Sequence, residues 1–221
     1  MNLNIIDEGV KDYGDMLAIQ KELFSGMVDG KKCGHPATDE YLLLVEHNPV
    51  ITLGKHAKTS NILMSEEQAA DRGIGIFHIE RGGDVTFHGP GQLVVYPIID
   101  LEFHHLGVKD YVTLLEEAVI KTLLEFGIAG ERVAGASGVW IEAGSERERK
   151  ICALGVKCSR FITMHGLALN VNTDLDGFDM INPCGFTDKG VTSMQKELGD
   201  RIDMEMVKQI MTLNFRKLLN I

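Results

Sequence analysis

Residues Arg81–Gln92 read RGGDVTFHGPGQ and run directly into the apolar stretch LVVYPII at Leu93–Ile99. Five of the first twelve residues are glycine or proline, which is incompatible with a regular helix or a central strand. A loop of this composition lets the backbone approach a ligand closely, and the apolar segment after it predicts a supporting strand. The directional polar side chains of Arg81, Thr86 and His88 favour a binding loop over an ordinary glycine-rich turn.

The pattern on both sides of this loop indicates an α+β fold. Apolar residues recur at helical spacing over residues 12–28, Val108–Phe126 and Val207–Leu219, and Ser65 is placed to cap a short helix. The predicted strands are Tyr41–Glu46, Val50–Leu53, Ile76–Ile79, Gln92–Leu101, Gly138–Ile141, Ile151–Lys157, Phe161–Thr163 and Gly166–Val171. Strands that cluster in this way predict a mixed β-sheet packed with helices.

The length predicts one catalytic domain over residues 1–221, with a core from about residue 36 to 221 and an N-terminal helical segment at 12–28. No apolar run approaches the ~20 residues that a bilayer requires. The start of the chain also lacks the features of a signal peptide. We therefore expect a cytoplasmic protein with no membrane partner.

The formal net charge of −10 argues against nucleic acid as a partner, because phosphates require a basic surface. A local cationic rim remains compatible with that total, and its candidate residues are Lys55, Lys58, Arg81, Lys157 and Arg160. The four cysteines, at positions 33, 152, 158 and 184, contain no C-x-x-C spacing. Neither a structural zinc site nor any other metal is expected, and the thiols are expected to be reduced.

Cys184 lies in INPCGF at Ile181–Phe186, where proline before it and glycine after it predict a tight turn that presents the thiol. A lone cysteine is more often a buried apolar residue than a nucleophile, so this position needs a nearby cation or base. Lys150 is the candidate cation, although it also reads as the end of an exposed charge run. His88 and His165 are alternative bases.

Three blocks of sequence together resemble one enzyme family. They are Arg81–Pro97, Lys150–Gly155 and the stretch from His165–Asn170 through Ile181–Gly185. In content and order they resemble the octanoyltransferases of lipoate biosynthesis, also called lipoyl(octanoyl) transferases or LipB, from about Tyr41 to the C-terminus. The resemblance implies a fold shared with lipoate–protein and biotin–protein ligases, in which a mixed sheet and helices surround an acyl-binding tunnel.

The resemblance also implies a reaction and its partners. An octanoyl group would pass from acyl carrier protein to a lysine of the lipoyl domains of 2-oxoacid dehydrogenases or of the glycine cleavage H protein, without a cofactor. Cys184 matches the cysteine of the acyl-thioester intermediate, and Lys150 matches the lysine that lowers its pKa. His88 is assigned a helping catalytic role, such as orienting the carbonyl. The implied substrate-binding residues are Arg81, Gly82, Gly83, Asp84, Val85, Thr86, Phe87, His88, Ala153, Leu154, Gly155, Gly166, Leu167 and Ala168.

Three other functions stay open at this point. An ATP-dependent lipoate–protein ligase would need a lysine but no cysteine nucleophile. A non-catalytic acyl-binding protein would need neither Lys150 nor Cys184. A cysteine protease is disfavoured because no protease signature surrounds Cys184. Cys152, where the family has a small residue, is interpreted as a packing variant.

Overall fold

The computed structural model describes residues 1–35, 37–182 and 190–221, which form two β-sheets and five α-helices. The strands are β1 (Asn2–Lys11), β2 (Asp39–His47), β3 (Val50–Leu53), β4 (Gly75–His78), β5 (Val85–His88), β6 (Gln92–Ile98), β7 (Glu131–Val133), β8 (Ala136–Ile141), β9 (Arg149–Ser159), β10 (Ile162–Asn170) and β11 (Gly190–Val191). The helices are α1 (Tyr13–Lys32), α2 (Glu66–Asp71), α3 (Val108–Glu125), α4 (Met194–Leu198) and α5 (Met204–Leu219). None of the helices within these ranges combines the length and apolar character needed to cross a bilayer.

The larger sheet has the order β1-β2-β6-β10-β9-β8-β7, and β11 pairs with β9. Its β1–β2 pair is parallel, with α1 as the crossover, whereas the pairs from β2 through β7 are antiparallel. Both faces are covered, because α3 and α5 contribute to the core on one face and α1 to the core on the other. Burial on both faces explains why β2 and β6 read as continuous apolar runs.

The smaller sheet has the order β4-β3-β5, and its strands carry the glycine-rich loop. A third apolar core forms beneath it from residues of β3, β5 and α2. The glycine-rich stretch Arg81–Gln92 begins in the connection between β4 and β5, includes β5 and ends at the first residue of β6, so paired strands hold it on both sides. The fold is the expected mixed sheet packed with helices.

Several elements differ from the sequence-based expectations. The sequence pattern did not predict β5, β7, β11 or α4, and β5 lies within the stretch that it assigned to a loop. Residues Asn2–Lys11 form β1, which the sequence pattern did not predict, and this strand pairs with β2 far along the chain. The separate strands predicted at Phe161–Thr163 and Gly166–Val171 form the single strand β10. Within β10, His165 has a φ of 61°, a left-handed conformation, yet the pairing with β9 continues in register on both sides of it.

Candidate active site

A cleft lies between the smaller sheet and the face of the larger sheet that carries β6, β9 and β10. The interior of the cleft has a volume of about 90 Å³, and the cleft opens to solvent. The smaller sheet contributes Asp84, Val85, Thr86 and His88, and the larger sheet contributes residues of β6, β8, β9 and β10. The glycine-rich loop that the sequence singled out therefore forms one wall of the cleft.

The loop is fastened to its neighbours by backbone contacts that only glycine allows. The Gly82 N–H donates to the carbonyl of Val156 on β9 at 2.9 Å. A Cβ at Gly54 would lie 2.5 Å from the Gly83 carbonyl, and one at Gly155 would lie 2.7 Å from the Gly82 carbonyl. Glycine at these positions lets the loop lie directly against the end of β3 and the middle of β9.

Arg81 is buried, with 8% of its surface exposed, and its side chain holds this loop in place by hydrogen bonds. Its guanidinium donates to the carbonyl and the hydroxyl of Thr52 at 2.9 and 3.0 Å, and to the Gly82 carbonyl at 3.0 Å. The planar group thus joins β3 to the loop at the edge of the cleft. Its burial removes Arg81 from the cationic surface rim that the sequence suggested.

Small residues form the floor of the cleft. Ala153 on β9 pairs directly with Ala168 on β10, and Gly155 pairs with Gly166. Cross-strand partners lie side by side on a sheet, so these four positions form one patch with almost no side-chain volume. Together with Val85 and Val94 they give the cleft an apolar lining with room for a chain-like ligand.

Lys150 reaches the cleft because of a β-bulge. Val139 pairs with Cys152, but the next residue, Trp140, pairs with Lys150, so β9 contains one extra residue there. Ile151 and Cys152 are consecutive, and both are fully buried in the core beneath α3. Strict alternation would place Lys150 on the core face with Cys152. The bulge reverses the alternation, and Lys150 lines the cleft.

His88 ends a chain of hydrogen bonds whose direction is set by a backbone carbonyl. The Asn170 amide donates to the Thr192 carbonyl at 2.9 Å, so its oxygen accepts from Gln92 at 2.9 Å. The Gln92 oxygen in turn accepts from Nδ1–H of His88 at 2.7 Å. Burial lowers the pKa of His88 to about 3. His88 is therefore a neutral imidazole whose Nε2 is a hydrogen-bond acceptor.

A second cluster of buried polar side chains, formed by Tyr13, His47 and Tyr96, adjoins His88. The Tyr13 ring lies 6.1 Å from the His88 ring, nearly parallel to it, and 5.2 Å from the His47 ring. His47 donates from Nδ1 to the Lys11 carbonyl, and its Nε2 accepts from the hydroxyl of Tyr96 at 2.9 Å. Burial raises the pKa of Tyr13 and lowers the pKa of His47. These side chains are therefore uncharged at pH 7.

This burial makes stability depend on pH. Burial lowers the pKa of both His88 and His165 to about 3, whereas histidine in an unfolded chain titrates near ~6.5. Below that pH the unfolded state binds protons that the folded state does not. The free energy of unfolding should therefore fall as pH decreases from about 6.5, by about 1.4 kcal/mol per pH unit for each histidine. Urea unfolding from pH 8 to pH 5 measures this slope.

Two variants assign that slope to particular residues. His165→Gln should lower this slope by about 1.4 kcal/mol per pH unit, which is the contribution of one histidine. His56→Gln, at an exposed position, should leave the slope unchanged. An unaltered slope in the His165 variant would contradict the burial argument.

The described cysteines are placed differently from Lys150. Cys152 points into the core, and burial raises the pKa of its thiol; the structure places it as a packing residue. Burial also raises the pKa of Cys158. Cys33 is exposed at the end of α1. Within the described ranges, no three His, Cys, Asp or Glu side chains are grouped to hold a metal ion.

Cys184 falls within 183–189, outside the described residues, but the chain is anchored on both sides of that segment. Before it, the Asn182 N–H donates to the Asn61 carbonyl at 2.7 Å, and the Asn61 amide donates to Asp84 of the glycine-rich loop. After it, β11 pairs with β9 at Arg149 and Lys150. Gly190 and Val191 of β11 line the cleft.

Most of the sequence-predicted binding residues meet at the cleft. Those that line it are Arg81, Gly83, Asp84, Val85, Thr86, His88, Lys150, Ala153, Leu154, Gly155, Gly166, Leu167 and Ala168. Gly82 does not line it, and the Phe87 ring packs instead in the core beneath the smaller sheet, 5.5 Å from the Phe178 ring. Although Leu154 and Leu167 are among the residues that line the cleft, their side chains pack in the core on the opposite face of the larger sheet.

Sequence reasoning did not assign several residues that build this site. They include Tyr13, Gln92, Tyr96, Trp140 and Asn170. Two signals were available: Trp140 is the single tryptophan of the chain, and Gln92, Tyr96 and Asn170 lie inside the blocks that carried the family resemblance. Of the proposed cationic rim, Lys157 forms an ion pair with Glu80, and Lys55 lies near enough to lower the pKa of that carboxyl further.

Comparison with known proteins places this geometry in a family. The model of the lipoyl protein ligase A/B catalytic domain matches residues 12–216. An octanoyltransferase of Bacteroides thetaiotaomicron is 47% identical over 220 residues, covering 100% of this chain and 96% of that protein. An octanoyltransferase of Porphyromonas gingivalis is 51% identical over 212 residues, 96% of this chain, and the match spans 43% of that protein's length.

Solved structures share the fold at low sequence identity. A bipartite lipoate protein ligase from Thermoplasma acidophilum superimposes with a TM-score of 0.70 at 15% identity, covering 99% of this chain and 83% of that one. A biotin protein ligase from Aquifex aeolicus gives 0.55 at 13% identity, covering 99% and 70%. These likenesses confirm the expected fold. The family model and the sequence relatives show that the chain belongs to the lipoyl protein ligase A/B catalytic-domain family and, within it, to the octanoyltransferases.

Proposed function

We propose that this protein transfers an octanoyl group from a thioester on acyl carrier protein to a lysine amine of a lipoyl domain, the first step of lipoate biosynthesis. The observation that carries the proposal is the cleft, which combines an apolar floor of small residues with the inward-facing Lys150. Family membership supports the octanoyl group as the cargo. The acceptors would be the lipoyl domains of 2-oxoacid dehydrogenases and the glycine cleavage H protein.

The first half-reaction exchanges one thioester for another. The Cys184 thiolate attacks the octanoyl carbonyl carbon, a new C–S bond forms, and the bond to the carrier sulfur breaks. The Lys150 ammonium stabilises the thiolate beforehand and gives its proton to the departing carrier thiolate. The step leaves octanoyl-Cys184, a neutral Lys150 and a carrier thiol, and it is nearly balanced because sulfur replaces sulfur.

The second half-reaction makes an amide and drives turnover. The neutral amine of the acceptor lysine attacks the octanoyl-Cys184 carbonyl, the C–N bond forms, and Cys184 leaves as a thiolate. Lys150 takes the proton that the attacking nitrogen loses and returns to its ammonium form. A positioned base of this kind contributes roughly 10²- to 10⁴-fold to the rate.

His88 suits a positioning role beside this chemistry. Its Nδ1–H is committed to Gln92, and its pKa of about 3 makes it a poor proton acceptor at neutral pH. Nε2 can accept a hydrogen bond, so His88 is expected to orient an N–H group, such as the incoming amine. Since an acceptor nitrogen cannot bind a carbonyl oxygen, this role replaces the expectation that His88 orients the carbonyl.

Intact-mass measurement tests the proposal against its two closest rivals. Purified protein incubated with octanoyl carrier protein, without ATP or magnesium, should gain the mass of one octanoyl group. It should lose that mass when a lipoyl domain is added, with octanoyl-lysine as product. A strict requirement for ATP would indicate a ligase instead. Acyl binding with no covalent adduct and no product would indicate a non-catalytic acyl-binding protein.

A further inference from the structure

Lys150 lies over the ring of Trp140, with Nζ 4.4 Å from the ring centroid. Trp140 is 2% exposed and is the single tryptophan in the sequence. An ammonium at this distance from an indole face is attracted by the ring quadrupole, and the attraction is stronger where water is excluded. The buried ring therefore favours the charged form of this lysine.

The position of the indole ring is fixed by its own strand. Its Nε1–H donates to the Ala136 carbonyl at 3.3 Å. The β-bulge makes Trp140 the direct cross-strand partner of Lys150. The feature that turns Lys150 into the cleft is thus the one that aligns it with the indole.

Gly138 provides the space in which the lysine side chain lies. A Cβ at this position would be 3.3 Å from Cε of Lys150 and 2.5 Å from the Cys152 carbonyl. The buried Glu116 carboxylate accepts from the Gly138 N–H at 3.0 Å and from Arg132 at 3.1 Å. Helix α3 thereby holds the backbone against which the Lys150 stem packs.

We propose that Trp140 is a positioning residue for the transfer reaction, which holds Lys150 as an ammonium aimed into the cleft. The inference rests on the proposed function, in which this ammonium stabilises the Cys184 thiolate. Loss of its ring should lower the fraction of Lys150 that is charged and correctly placed, and should thereby raise the pKa of Cys184.

The described charged and titratable groups near Lys150 belong to the neighbouring strands and helix and to the rest of the cleft lining. On the neighbouring elements they are Glu116 with Arg132, Arg149 with Glu142 and Glu197, and the buried Cys152. Tyr13, Arg81, Asp84, His88 and His165 line the same cleft as Lys150. Arg132 and Arg149 are paired with the carboxylates named beside them, and the Cys152 thiol has a raised pKa. A titration that disappears with Lys150 can therefore be separated from these groups.

Tryptophan fluorescence reports directly on the contact between Trp140 and Lys150. Because the chain has one tryptophan, emission as a function of pH should show a step when the adjacent ammonium loses its proton. Lys150→Met should abolish the step. Phe161→Leu should leave it unchanged, since this matched control removes the ring beneath Lys31, 5.6 Å from its Nζ. A step that survives in Lys150→Met would overturn the proposed pairing.

Alkylation of Cys184 by iodoacetamide tests the consequence, in a background with serine at positions 33 and 158. Trp140→Leu should shift the rate–pH profile upward by about one unit, a roughly tenfold slower reaction near neutral pH. Trp140→Phe keeps an aromatic face and should restore most of the rate. In steady-state transfer, Trp140→Leu should lower kcat more than it raises KM for octanoyl carrier protein.

The outcomes separate the two proposals. If Trp140→Leu folds and its alkylation profile superimposes on that of the parent, the positioning role is refuted. If Trp140→Leu does not fold, Trp140→Phe decides: the weaker attraction of a phenyl ring should leave its profile shifted upward by a fraction of a unit, whereas an unshifted profile would refute the positioning role. If the parent protein forms neither the octanoyl adduct nor octanoyl-lysine, the proposed function fails, and if Cys184→Ser still transfers octanoyl groups, the route through Cys184 fails. In either case the fluorescence step still tests the Trp140–Lys150 pair.

Discussion

Cys184→Ser is expected to abolish both the octanoyl-enzyme adduct and the transfer to lipoyl domains. A serine hydroxyl beside a lysine remains protonated at neutral pH, so the nucleophile that attacks the carrier thioester is lost. Intact mass reports the adduct, and gel-shift or mass analysis of a lipoyl domain reports the product. A full-size adduct on the serine variant would refute the nucleophile assignment.

The other cysteines provide matched controls for this substitution. Cys33→Ser changes an exposed thiol at the end of α1 and should leave adduct and transfer intact. Cys152→Ser changes a thiol that points into the core and should lower stability without removing the adduct. If Cys152→Ser rather than Cys184→Ser removed the adduct, the reacting sulfur would lie on β9.

Gly138→Ala is expected to produce the second large effect, on stability and on transfer together. Gly138 has a φ of 122°, and its added methyl group would meet the Cys152 carbonyl at 2.5 Å. Backbone strain and the collision together should lower the free energy of unfolding by about 3 to 4 kcal/mol. The methyl group would also press on the stem of Lys150, so transfer should fall even at temperatures where the variant is folded.

Gly135→Ala separates strain from collision. Gly135 also has a positive φ, 80°, but no atom lies within 4 Å of the Cβ that alanine would add. This variant should lose about 1 kcal/mol of stability and keep its transfer rate. Urea unfolding and transfer assays on the two variants test the comparison. Equal losses in both would mean that the space beneath Lys150 is less restricted than the distances indicate.

The glycine-rich loop was predictable from sequence because glycine and proline restrict the backbone locally. The helix at Val108–Glu125 was predictable for a similar reason, since its apolar period is contained within the segment. β1 was not, because its stability depends on pairing with β2, more than thirty residues away, and on Leu3 and Ile5 packing against the main core. A strand that depends on distant parts of the chain carries little signal in its own sequence.

The residues of the site also divide into those with a local sequence signal and those whose position depends on the fold. Residues 81–88 and 153–155 were identified because they lie in compact blocks that resemble one family. The inward direction of Lys150 could not be derived, since period-two alternation on β9 assigns it to the core. The chain from His88 to Thr192 joins residues more than one hundred positions apart, and its direction depends on a carbonyl that only the fold brings near.

The extra residue in β9 has a consequence for how this protein can change over time. Because Ile151 is the residue without a cross-strand partner, its loss would leave Lys150 opposite Trp140 and would cost only the apolar side chain that it adds to the interior. A second inserted residue, in contrast, would reverse the faces of the preceding positions and turn the amine toward the hydrocarbon interior. Selection should therefore tolerate a shortening of the strand at this point more readily than a lengthening.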